Sequence, residues 1–451
     1  MSDPSKVSTT LTAQLEDVGP NDRRDAIVIY YADPPPQPRV RGRLRDLQQR
    51  LAAIEDRAKA QQVSQARLLD DYQREGQRRM SRPQPLAARG LGGVALPAAQ
   101  VEVTRQTLGA LAEQPEVAAV MANQRVSLIR PKHIDYDKLR PQERKDGMTW
   151  GLKQLGIPEL WAETKGEQIN VAVLDSGVYG DHSALKGRVQ GFMLVDPLGR
   201  RIETDRSFDA DEHGTHVCGT IAGGVTEDGV AIGIAPAASL FVAGVLVGQG
   251  TLAALIEGLG WAIEQGADVI NMSLGMAYYE PLFPQVLDLV LETGALPIVA
   301  IGNESHGNSS SPGSAHNALS VGALERQTGG KLAVCPFSSG ASLSFPGQEP
   351  ALVIKPDLAA PGAQVYSCIP PRKTPDGAFD YNYMDGTSMA TPHVSGVAAL
   401  LMAAEPAAPL EEIVGALRET ARHPNGRKKR PCNRWGHGLI QPLEALRALR
   451  T

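Results

Sequence analysis

Two textures of hydrophobic patterning divide the chain near residue 149. On the N-terminal side, Ala26–Tyr31 (AIVIYY) is a short apolar run stopped by Pro34-Pro35-Pro36, which predicts a strand. From about Val40 to Met80 strong helix formers dominate. Leu44, Leu47, Leu51 and Ile54 recur there at three- and four-residue spacing, giving one apolar stripe on a charged helix. Gly90, Gly92 and Gly93 mark a turn before the apolar stretch Val94–Leu96. A second helix is predicted over Val101–Glu113, then short strands at Val117–Met121 and Arg125–Ile129. Two helices on one face of a small sheet make an α+β, ferredoxin-like unit over residues 25–130. Residues 1–24 are polar and aperiodic, and read as a disordered tail. Residues 131–148, with Pro131, Pro141 and many charges, read as a linker.

From residue 149 onward, strand-like runs alternate with helical ones. Val171–Leu174, Leu240–Val247, Val269–Leu274, Pro297–Ile301 and Leu319–Val321 are the strands, with helices near Ala253–Gln265 and Leu282–Glu292. Alternation of this kind predicts an α/β domain over 149–451: a doubly wound, mainly parallel sheet with helices on both faces. In such sheets the functional groups collect at the carboxyl ends of the strands.

Composition narrows the setting. Of 451 residues, 42% are hydrophobic and 21% charged, as in a soluble globular protein. A net charge of −5 provides no basic field for a polyanion, so no nucleic-acid partner is expected. The cluster Arg427-Lys428-Lys429-Arg430, between Asn425-Gly426 and Pro431, reads as a solvated turn. No apolar run follows the N-terminus and none has membrane length, so no membrane partner and a cytoplasmic location are expected. Four scattered cysteines (Cys218, Cys335, Cys368, Cys432) fit neither a disulfide scaffold nor a zinc ribbon.

Three strand ends stop on polar residues: Asp175-Ser176-Gly177, Ser273-Leu274-Gly275 and Gly302-Asn303-Glu304. Singly, each is also ordinary turn chemistry. Asp211–Thr220 carries two histidines around a Gly-Thr pair. His213, His216 and Cys218 are metal-ligand types, but residues three and five apart on a helix do not share a face, and no fourth ligand is near. The sharpest signal is Gly386-Thr387-Ser388-Met389-Ala390-Thr391-Pro392-His393-Val394-Ser395-Gly396, ahead of the apolar run Val397–Ala404. Ser388 at a helix N-terminus could be only a cap. The same place has free N–H groups and the positive helix end, where an oxyanion would form. Gly386 leaves room for a substrate backbone, and Pro392, about one turn in, leaves a carbonyl unbonded.

In order and context these segments resemble the subtilisin-like serine proteases (subtilases), over about residues 149–451, including Lys355–Gly362 and Trp435-Gly436-His437-Gly438. The resemblance implies a serine endopeptidase acting on protein or peptide substrates. Ser388 would be nucleophile, His213 general base (in preference to His216) and Asp175 its orienting carboxylate. The Asn303 side chain and the Ser388 N–H would form the oxyanion hole. Substrate would add as a strand between Gly248-Gln249-Gly250 and Ser273-Leu274-Gly275. Ala300-Ile301-Gly302 would wall the primary specificity pocket, with Glu304 a solvated carboxylate at its rim. No cofactor is implied for the chemistry. Many members hold calcium, but at the places concerned this chain has Ala184 and Gly223–Gly229, so a strong calcium site is not expected. Asp357 is left as a carboxylate for a weak cation site. The unit at 25–130 resembles the propeptides of these enzymes, implying a zymogen inhibited in cis by its own N-terminal domain. A partner-docking module is the other reading of that unit, and a peptide-binding pseudoprotease the other reading of the whole.

Overall fold

The computed structural model describes residues 6–31, 52, 66–67, 69–74, 86–344, 351–375, 377–426 and 430–451. Most of the helix predicted for 40–80, including its leucine stripe, and Arg427–Lys429 lie outside the described residues.

The central sheet runs in the order Leu332–Val334, Leu319–Arg326, Leu296–Ala300, Val269–Met272, Asn170–Asp175, Ser239–Gly244, Val189–Val195, Arg201–Ile202. All neighbours are parallel except the two edge pairs, and Leu358–Pro361 joins Leu319–Arg326 in parallel as a branch. In the Asn170–Asp175 strand, Val171 and Val173 face one core layer, together with Val217 and Ile221 of the helix His213–Ala222 and Met389 and Val394 of the helix Thr387–Ala404. Ala172 and Leu174 face the other layer, against Leu255 and Leu259 of the helix Leu252–Glu264 and Val286 of Phe283–Glu292. Burial on both faces explains why these strands read as unbroken apolar runs. Strand order reverses between Asn170–Asp175 and Val269–Met272, so the loops leaving their carboxyl ends part and open a crevice there.

The N-terminal unit is a four-stranded antiparallel sheet in the order Ala88–Leu91, Ala98–Val103, Arg24–Tyr30, Val117–Ala122. This is the ferredoxin-like order. Ala26, Val28 and Tyr30 bury into the unit's own core. Ile27 and Ile29 point the other way, into the same layer as the Leu252–Glu264 helix. Gly92 N–H donates to Glu257 Oε2 (2.7 Å) and Val94 N–H to Glu264 Oε1 (2.9 Å), while Arg201 pairs with both carboxylates.

Three expectations are corrected. Within the supposed tail, Thr9–Glu16 is a helix capped by Ser8, because Leu11 and Leu15, one turn apart, bury on the sheet. The predicted helix Val101–Glu113 begins only at Arg105. Ala98–Val103 is a strand, and Thr104 closes a capping box with Thr107. The 131–148 segment is not a free linker. His133–Asp135 pairs with Tyr383–Asp385, and Pro141–Asp146 is a short helix. That helix is docked by the buried Glu143, which accepts from Trp150 N–H (2.9 Å) and Tyr383 O–H (2.5 Å).

Candidate active site

Each predicted catalytic side chain sits at the end of an element. Asp175 closes its strand at the crevice, His213 opens one helix and Ser388 is the second residue of another. All three are buried. Asp175 Oδ1 accepts from His213 Nδ1 (2.8 Å) and from Ser176 N–H (2.8 Å). His213 Nε2 and Asp175 Oδ2 have no hydrogen-bond partner among the described residues. Burial disfavours the His213 imidazolium, but the charge and hydrogen bond of Asp175 outweigh it and raise the pKa above its usual value. His216 is different. Its Nε2 faces the Val365 carbonyl (3.0 Å), and burial holds its pKa down at about 3, so it is a neutral packing residue.

Behind Asp175 lies a second carboxylate that the sequence reading did not single out. Asp209 is half-buried and accepts from Ser176 Oγ (2.7 Å), Asp211 N–H (3.1 Å), Thr215 N–H (2.7 Å) and Thr215 Oγ1 (2.6 Å). It ties the first turn of the His213 helix to the Asp175 strand. Burial, and secondarily Asp175, raises its pKa. Its only sequence signal is an acid four residues before a histidine, which many surface helices carry.

Asn303 follows the strand Leu296–Ala300. Its Oδ1 accepts from Thr387 N–H (2.9 Å) and Thr387 Oγ1 (2.9 Å), which turns the amide group into the crevice. Gly302 has φ +114, and a Cβ there would lie 2.5 Å from Glu304 Oε2, so only glycine makes this turn. Glu304 itself is exposed and accepts from Ser339 Oγ (3.2 Å). A Cβ on Gly386 would come within 3.3 Å of Asn303 Nδ2. Pro392 denies the Ser388 carbonyl its helical donor, and Ser273 Oγ donates to it instead (3.1 Å).

The predicted substrate strips flank the chain's own residues 124–130. Val126 N–H donates to Gly250 O (3.0 Å), and Ser127–Leu128 pairs antiparallel with Leu274–Gly275. Gly248 has φ +74 and Gln249 is exposed, both in the same turn; Ala300 and Ile301 are buried behind Gly302. Asn303 Nδ2 donates to Arg130 O (2.8 Å), whereas Ser388 Oγ donates to Ile129 O (2.8 Å) with Ser273 O at 3.2 Å. The Asn303 amide and the Ser388 hydroxyl thus engage successive carbonyls of this segment. The Arg130 side chain pairs with Asp211 (3.2 Å).

The weak cation site expected at Asp357 is overturned. One carboxylate oxygen pairs with the buried Lys355 (2.7 Å) and the other with Arg418 (2.6 Å), and together they pull its pKa down to about 2 despite burial. An internal ammonium occupies the place a cation would take. Cys218 is a small buried core residue.

Residues 166–438 match the sequence profile of the subtilase family. The intracellular serine protease of Paenibacillus polymyxa is 34% identical over 281 residues, 59% of this chain and 77% of that protein. The major intracellular serine protease of Bacillus subtilis (strain 168) is 36% identical over 261 residues, 56% and 75% of the two. Subtilisin E of the same organism is 33% identical over 303 residues, 66% and 70%. The crystal structure of fervidolysin from Fervidobacterium pennivorans, a keratinolytic enzyme related to subtilisin, superposes with a TM-score of 0.66 at 24% identity, a likeness of fold. It covers 94% of this chain, which spans 61% of that one. The chain belongs to the subtilase family and is a subtilisin-like serine protease.

Proposed function

We propose that the chain is a serine endopeptidase made as a zymogen, its N-terminal domain holding residues 124–130 in the substrate crevice until they are cut and released. The observation that carries this reading is the Arg130 carbonyl on the Asn303 amide, where a substrate carbonyl would place its developing oxyanion. A substrate replacing the segment would be attacked by Ser388 Oγ, with His213 Nε2 taking the proton and then delivering it to the leaving amine. Asp175 on Nδ1 keeps Nε2 free to do so and stabilises the imidazolium. Asn303 Nδ2 and Ser388 N–H would hold the oxyanion, and water would then release the acyl group from Ser388. Main-chain pairing to Gly248–Gly250 and Ser273–Gly275 supports a broad substrate range, with Ala300–Gly302 shaping the primary pocket. No cofactor enters these steps. Two relatives are named intracellular, which supports a cytoplasmic enzyme. No helix among the described residues is long and apolar enough to cross a membrane.

A fluorophosphonate probe tests the reading. Wild type is expected to hydrolyse casein, take up the label and lose an N-terminal fragment ending near residues 129–148. Ser388→Ala should take up none and stay full length. Folded wild type inert to casein and probe would overturn the proteolytic reading, and uncut wild type that digests casein would overturn the zymogen part alone.

A further inference from the structure

The path through the crevice does not end at Arg130. Lys132 N–H donates to Asp385 O (2.7 Å), and the chain continues as a strand, His133 opposite Asp385, Ile134 opposite Met384 and Asp135 opposite Tyr383. The partner edge belongs to a long antiparallel ribbon, Val365–Thr374 with Gly377–Asp385. At the end of the added strand the Tyr136 side chain enters a prepared place. Its ring lies 5.9 Å from that of Phe379, with the Arg372 guanidinium 5.5 Å from its centroid. Its hydroxyl donates to Glu212 Oε1 (2.6 Å), whose Oε2 takes Arg372 (2.9 Å). The Glu212 side chain is only 7% exposed, and a buried carboxylate needs such donors. Burial first, and Glu212 second, push the Tyr136 pKa up to about 12, so the phenol remains a donor across the working range.

A substrate held with its carbonyl on Asn303 meets the same edge beyond its scissile bond. Main-chain pairing there accepts many sequences, whereas an aromatic slot floored by a buried carboxylate and roofed by a cation selects one side chain. We propose that Tyr383–Asp385 binds the residues downstream of the scissile bond as an added β-strand, and that Phe379, Arg372 and Glu212 form a subsite for a tyrosine six residues beyond that bond. The inference rests on the proteolytic reading above, and the chain's own Tyr136 fills the subsite before activation.

Two substrate types separate the possibilities. A peptide nitroanilide has no residue beyond the cleaved bond. A matched peptide carries six more, ending in Tyr, Phe or Ala. With the chain after it has cut itself and released its N-terminal segment, kcat/KM should favour Tyr over Ala by on the order of tenfold, with Phe between them because it leaves Glu212 short of a donor. In Phe379→Ala and Arg372→Ala the preference should fall to within about twofold, while nitroanilide turnover, which also reports folding, stays at the wild-type level. Equal rates for the three peptides in wild type, or a tyrosine preference that survives both substitutions, would overturn the subsite. Failure to cleave nitroanilide and peptides alike would instead overturn the proteolytic reading.

Discussion

At His213 two opposed effects are decided by one hydrogen bond. Burial alone would hold the ring neutral, as it does at His216, but Asp175 at 2.8 Å reverses the balance. On the proposed role of His213 as general base, which must be unprotonated to act, the acid limb of kcat/KM is expected above the ordinary histidine value of 6.5. The same sign holds for stability: the pair's contribution is fully present below 6.5 and is lost as pH rises through the folded pKa. Asp209 is among the charges that raise His213. Asp209→Asn should therefore move the acid limb to lower pH, read from a pH–rate profile. It should also cost about 1.5–3 kcal/mol in denaturant unfolding, through lost charge-assisted hydrogen bonds. An unmoved limb would mean that Asp209 carries its proton and acts only as a brace.

Among the elements, the Thr387–Ala404 helix shows how a local defect is used. Pro392 is costly inside a helix because it removes one donor and crowds the carbonyl four residues back. Here that carbonyl belongs to Ser388, and Ser273, from the strand end across the crevice, fills the gap. The defect thus ties the helix that bears Ser388 to the strand end at Ser273. Ser273→Ala should destabilise by about 1–3 kcal/mol, the usual cost of a buried acceptor left unmet. In a Pro392→Ala background the restored N–H should reduce that cost, so a double-mutant cycle would show coupling. Additive losses would show that the serine hydroxyl matters elsewhere.

Across the whole molecule, the N-terminal sheet and catalytic domain share one apolar layer, and Glu257 and Glu264 fasten the turn Gly92–Leu96 to it. Glu257→Ala removes the acceptor of Gly92 N–H but leaves Arg201 paired with Glu264. A charge-assisted hydrogen bond of about 1.5 kcal/mol corresponds to roughly a tenfold change in opening. Amide exchange at Val94, whose own acceptor is untouched, should accelerate by about that factor in a Ser388→Ala background. Unchanged exchange would place the hold in the apolar layer alone.

Much was legible because it is local. Period-two and unbroken apolar runs, glycines at turns and a proline one turn into a helix are dictated by backbone geometry and burial, so the alternating α/β sheet and the strand and helix ends bearing Asp175, His213, Asn303 and Ser388 could be read from local pattern. The tail and the 101–113 stretch misread for the complementary reason: Leu11, Leu15 and the strand Ala98–Val103 owe their conformations to partners distant along the chain. Tertiary structure alone decided that Asp209 braces the His213 helix, that Thr387 aims the Asn303 amide, and that Lys355 and Arg418 neutralise Asp357. It also laid residues 124–136 along the crevice in a split register. Such choices depend on which hydrogen-bonding groups meet across sequence separations of tens to hundreds of residues, and no local spacing encodes that.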